Sequence, residues 1–123
     1  MRHEFELLSG AVIGAAIDVH RALGPGFLES TYGNALKVAL AHRHLHFEAE
    51  RPLAVSFEGV DVGVGRLDLL IEGQLVVELK AVEALHPTHF AQLRAYLKGS
   101  GCRVGLLFNF NSPTLVVRRV VSG

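Results

Sequence analysis

The chain is poor in the residues that announce a covalent or membrane scaffold. Among its 123 residues there is one cysteine and no tryptophan. A single thiol at Cys102 excludes an intrachain disulfide framework and any cysteine-rich metal knot, and it suits a reducing compartment. Charge of one sign is also missing: twelve Lys and Arg cancel twelve Asp and Glu. No net field draws the chain to nucleic acid, membrane or acidic ligands, which leaves only local patches to do so. Long apolar runs are lacking too. The stretch from Ala11 to Ile17 is too short to span a bilayer, lies between Glu6 and Asp18, and has no basic flank of a leader peptide. What is present is a hydrophobic half and a charged fifth, the composition of a packed globular core. The expectation is one soluble cytoplasmic domain over residues 1–123, with no membrane partner.

Apolar residues recur at helical spacing from Glu4 to Leu23, through Phe5, Leu8, Val12, Ala15, Val19 and Leu23. Gly24-Pro25-Gly26 stops that helix, and a second runs from about Leu28 to His44 with Tyr32, Leu36 and Leu40 on one face. The period then changes to that of strands. Phe47 to Phe57, Val60 to Glu72 and Leu75 to Val82 read as an antiparallel meander, turned at Glu58-Gly59 and Gly73-Gln74. Pro87 opens a third helix to about Lys98, and strands follow over Arg103 to Asn109 and Leu115 to Val121. The order α-α-β-β-β-α-β-β predicts an α/β (α+β) domain with a mixed central sheet flanked by helices.

The second and third strands are apolar enough to be central, yet they carry Asp68, Glu78 and Lys80. Burying an unpaired charge costs several kcal/mol, so these groups should answer one another or a ligand. Lys80 is one of only three lysines; Lys37 and Lys98 can lie on solvated helix faces. Strand alternation puts Glu78 and Lys80 on one face. Asp68 depends on the hairpin register. A two-residue loop at Gly73-Gln74 pairs Asp68 with Leu79 and separates the acids; if Glu72 joins the loop, or a bulge intervenes, Asp68 meets Glu78. The second register is preferred because it gathers Leu67, Leu69 and Ile71 on one apolar face with Leu75, Val77 and Leu79. Two carboxylates about 4 Å apart repel by about 4 kcal/mol at an effective dielectric of 20. An ammonium and a hard, oxygen-ligated cation such as Mg²⁺ or Mn²⁺ would relieve that repulsion. A hydrated divalent ion beside a lysine suits phosphodiester hydrolysis. An acid-x-lysine triplet alone is weak, since chance supplies roughly 0.3 of them in such a composition; the bland alternative is a structural salt-bridge cluster.

The surrounding blocks are more specific. Gly26-Phe-Leu-Glu29-Ser-Thr-Tyr32, Glu78-Leu-Lys-Ala-Val, His89-Phe-Ala-Gln92-Leu-Arg-Ala-Tyr96-Leu and Gly105-Leu-Leu-Phe-Asn-Phe110 occur in order along nearly the whole chain. Together they resemble the GxxExxY protein family, which looks like a branch of the PD-(D/E)xK nuclease superfamily with its restriction-endonuclease-like core. The resemblance implies a metal-dependent nuclease hydrolysing nucleic acid, DNA ahead of RNA, alone or as a homodimer or with a protein partner. By position it implies that Asp68 and Glu78 bind Mg²⁺ or Mn²⁺ with Glu29 and the Leu79 carbonyl. Lys80 assists the water, and Gln92 completes the polar shell. Leu67 stands where the superfamily name has proline, a position without side-chain chemistry. The competing class is a non-catalytic nucleic-acid-binding or assembly module retaining the fold.

The remaining candidates read as structural. Tyr32 is expected in the core and His89 at the surface. His42, His44 and His46 lack a second ligand pair for zinc. Gly59, Gly63 and Gly65 serve turns or bulges rather than a phosphate cradle, and Cys102 is a packing residue. Arg43, Arg94, Arg103, Arg118 and Arg119 are candidate phosphate contacts.

Overall fold

Two apolar stripes at helical spacing must each find a sheet face, and the chain provides both faces from one sheet. The computed structural model describes residues 2–122, with side chains from residue 6 onward, so the expected core role of Phe5 lies outside the described residues. Helices α1 (Arg2–Leu23) and α2 (Glu29–His42) are followed by strands β1 (Phe47–Phe57), β2 (Val60–Ile71) and β3 (Leu75–Lys80). Helix α3 (Pro87–Ser100) and strands β4 (Val104–Asn109) and β5 (Val116–Val121) complete the order. The sheet runs β1-β2-β3-β4-β5, antiparallel throughout except for the parallel β3–β4 pair that α3 connects. The expected mixed α+β architecture is therefore the observed one. Among the described residues no helix is long and apolar enough to cross a membrane.

Val12, Ala15, Ala16 and Val19 of α1 and Tyr32, Leu36 and Leu40 of α2 pack on one face of the sheet against Leu69, Ile71, Leu75, Val77 and Leu79. Leu93 and Leu97 of α3 cover the other face with Leu67, Leu70, Val76 and Leu107. The C-cap of α3 at Gly101 is left-handed, φ 75°, which glycine adopts without a Cβ penalty. Gly65 has a different reason: a Cβ there would lie 2.9 Å from the Tyr96 ring, so α3 rests directly on bare backbone.

Two of the boundaries that differ from expectation have a local cause. β3 ends at Lys80 instead of Val82, because the Asn109 side chain takes over the ladder's work. Its Oδ1 accepts from the Val82 N–H at 3.1 Å and its Nδ2 donates to the Val82 carbonyl at 2.9 Å. Helix α2 stops at His42, since His44 has φ 58° and cannot continue it.

The β2–β3 hairpin takes the second of the two registers considered. Glu72 (φ 53°) and Gly73 (φ 66°) form a tight turn closed by the Gln74 N–H on the Ile71 carbonyl at 2.9 Å. Leu75, not Gln74, stands opposite Ile71, and Val77 stands opposite Leu69. Continuing that register places Asp68 opposite Glu78. One part of the expectation fails. Leu67 does not share a face with Leu69 and Ile71 but joins Leu70 and Val76 beneath α3. Strand alternation breaks at Asp68. The break coincides with Glu50 on the neighbouring strand, whose φ of 54° interrupts β1 between Ala49 (opposite Leu69) and Arg51 (opposite Leu67).

Candidate active site

The break in β2 makes the site. Where the ladder lapses, side chains replace backbone partners across the β2–β3 gap. The Asp68 N–H donates to Glu78 Oε2 at 2.8 Å, and the Leu79 N–H donates to Asp68 Oδ2 at 2.8 Å. Each acid is thus clamped by the other's strand, which fixes both carboxylates. A strand residue's N–H and C=O point to the same edge, so the Leu79 carbonyl also faces this gap.

Burial and repulsion then act together. Glu78 is 3% exposed. Desolvation first, and then the charge of Asp68, pushes its carboxyl up to about 8. Asp68 is raised chiefly by burial; the Leu79 N–H and the charges of Lys80 and Arg66 work against the shift, and Glu50 adds to it. Glu29 is raised by partial burial and by Asp68, with Lys80 opposing. Lys80 therefore feels all three acids, though among the described residues no carboxylate oxygen lies within 4.0 Å of its amine. On α3 the His89 imidazole is lowered by desolvation, then by the charges of Lys80 and His86.

Glu29 reaches the group because Tyr32 holds the entry to α2. The Tyr32 hydroxyl donates to the Gly24 carbonyl at 2.5 Å and accepts from the Phe27 N–H at 3.1 Å. Its ring stacks on Phe110 with centroids 4.7 Å apart. The tyrosine is a packing and loop-tying residue, as expected, and the GPG turn it secures delivers Glu29 at the first position of the helix.

A cavity of about 240 Å³ opens between α2 and the β1–β2 pair, with Glu29 and Asp68 in its wall and Leu69 and Leu79 among its lining residues. The structure thus brings together Asp68, Glu78, Lys80 and Glu29, and leaves Gln92 exposed on α3 without a hydrogen bond among the described residues. Sequence reasoning missed Glu50, Arg66 and Lys37, which also line the cavity. For Lys37 the signal was available: Glu29, Gly33 and Lys37 are four apart and share a helix face. Arg43, taken as a phosphate contact, instead pairs with Asp18 at 2.9 Å and lies over Gly14 in the seam between α1 and α2. His42, His44 and His46 form no metal-holding group among the described residues. His89 is spent on the capping box of α3 with His86.

An all-oxygen donor set of two converging carboxylates, a third acid nearby and a strand carbonyl suits a hard divalent cation. Among the described residues no three acids already close around one point, so water would supply the balance, as Mg²⁺ prefers. Residues 6–120 match the family model of the PD-(D/E)XK nuclease superfamily. This chain belongs to that superfamily. Asp68 of β2 and Glu78-Leu79-Lys80 of β3 lie within the matched residues. Its fold is similar to the crystal structure of SSO0001, with a TM-score of 0.62 and 21% identity over 76% of this chain and 49% of that one. The similarity spans about half of that protein's length and concerns the fold alone. No curated protein shows significant sequence similarity to the chain.

Proposed function

We propose that this PD-(D/E)XK domain, of the GxxExxY branch, is a divalent-metal-dependent nuclease that hydrolyses phosphodiester bonds in DNA. The observation that carries the reading is the reciprocal clamp of Asp68 and Glu78 across the β2–β3 gap, with Lys80 in their field. Two acids raised chiefly by desolvation, Glu78 further by the charge of Asp68 and Asp68 by that of Glu50, form a site that gains by taking up positive charge. Asp68 and Glu78, with the Leu79 carbonyl and Glu29, would hold Mg²⁺ or Mn²⁺. When bound, such an ion polarises a phosphate and lowers the pKa of water.

The chain's own groups do the rest. The clamp holds both carboxylates in place before any ligand arrives, so little reorganisation is left for the reaction. Lys80 orients the attacking water and stabilises charge developing on the phosphoryl oxygens. Glu29 accepts a proton from that water at its carboxylate, a role its raised pKa brings nearer to neutrality. Gln92 is the free polar side chain α3 offers for a further hydrogen bond to the water.

The test is a Mg²⁺ and Mn²⁺ titration of wild type, Asp68→Ala and Lys80→Ala, following metal binding by calorimetry and cleavage of DNA and RNA substrates. Asp68→Ala should lose metal binding, and both variants should lose cleavage by at least about 10²–10³-fold. Cleavage that persists in both variants would refute the assignment. Metal binding without cleavage of any substrate would favour the non-catalytic module.

A further inference from the structure

We infer that Lys37 and Arg66 form a second phosphate-binding subsite, one that seats the substrate's backbone beside the bond to be cut. The inference rests on the nuclease reading and extends it along the cavity. Lys37 lies two turns beyond Glu29 on α2, and Arg66 lies two residues before Asp68 on β2. Both line the cavity that contains Glu29 and Asp68. Phosphate entering from the carboxylates would therefore meet two cations within the same walls.

Neither cation is committed elsewhere. Among the described residues Lys37 has no carboxylate within 4.0 Å, and the ion pair of Arg66 is a loose one, Nη1 to Glu50 Oε1 at 3.9 Å with both side chains about two-thirds exposed. A pair so solvated contributes little and yields readily to a better anion. Glu50 stands in for that anion. Its left-handed backbone, uncommon for a residue with a Cβ, holds its carboxylate at the cavity wall next to Arg66.

Gly33 gives an independent sign. It sits in the interior of α2 between Glu29 and Lys37, where glycine costs about 1 kcal/mol relative to alanine. A Cβ there would meet nothing within 4 Å, so neither packing nor a positive φ demands it. Gly33 lines the cavity, and its bareness keeps the path between Glu29 and Lys37 open. The ligand is thus the phosphodiester backbone of a strand lying along α2. The contact is to phosphate, which DNA and RNA share, and Lys80 is not among the residues that line this cavity.

Binding is measured without cleavage: anisotropy of a short fluorescein-labelled single strand, as DNA and as RNA of one sequence, in EDTA between about 50 and 200 mM salt. Lys37→Ala and Arg66→Ala should each weaken binding by about five- to tenfold at the low-salt end and reduce the slope of log K against log salt by about one. Gly33→Leu should weaken binding with the slope unchanged, while Glu50→Gln should tighten it by about threefold, which damage to the fold would not do. Circular dichroism melts confirm that each variant is folded. Equal affinity of DNA and RNA marks backbone recognition; a preference for either places an additional sugar contact in the subsite. Wild-type binding unaltered in Lys37→Ala and Arg66→Ala overturns the subsite even if the protein cleaves. Binding lost in those variants by a protein that cleaves nothing leaves the subsite standing and removes the nuclease reading.

Discussion

The two halves of β2 are equally apolar on paper and opposite in fate. In the outer half Val60, Val62 and Val64 are 63%, 59% and 76% exposed; in the inner half Leu67, Leu69, Leu70 and Ile71 are each 6% exposed or less. The outer hairpin extends past the helices, so its valines serve strand propensity and cross-strand contact rather than a core. The inner half is covered by α1 and α2 on one face and by α3 on the other. Hydrophobic content thus marks a strand without saying where it is buried. Asp68 is informative because it belongs to the covered half, where a charge demands a reason.

Truncating the covered half should cost most. Leu67→Ala leaves a void beneath α3 and should destabilise the fold by about 2–5 kcal/mol in urea unfolding. A loss under about 1 kcal/mol would mean that the break at Asp68 leaves Leu67 only loosely held.

The intermediate effect is electrostatic and has a definite pH window. Glu78 titrates near 8 in the folded chain against an ordinary 4.5. Below about pH 4.5 both states hold the proton, and nothing is lost. Between there and 8 the unfolded chain releases it first, so stability falls as pH rises and the full penalty stands above 8. In EDTA, Glu78→Gln should therefore melt with wild type at pH 4 and several degrees above it at pH 9. Equal melting at pH 9 would show that Glu78 is not held in its desolvated place.

In the exposed half the same kind of change should vanish. Val64→Thr keeps the branched β-carbon and should shift stability by less than about 0.5 kcal/mol. A shift comparable to that of Leu67→Ala would show that the outer hairpin is covered by something in solution.

Much of the fold was legible because local signals agree with the global one. The GPG stop, the proline start of α3 and the strand-to-helix change of period each mark an element that exists. The register of the β2–β3 hairpin could be chosen because one option unites the apolar residues and the acids together. Leu67 was misplaced because alternation assumes an unbroken strand, and the interruption coincides with Glu50 on a neighbouring strand, eighteen residues before Asp68. Nothing in a glutamate announces a left-handed backbone. The end of β3 was hidden for a similar reason: Asn109, nearly thirty residues away, captures Val82. Lys37 was read as solvated because a helix face can be recognised in one dimension, whereas the cavity opposite it requires two elements to be docked.

The left-handed backbone at Glu50 has a further consequence for the molecule's company. Among the described residues β1, eleven residues long, is the border of the sheet. A straight border of that length invites another chain to add itself. The left-handed backbone of Glu50 interrupts the regular run of that border, and Pro52, two residues on, has no amide hydrogen to offer it, both features that disfavour edge-to-edge pairing.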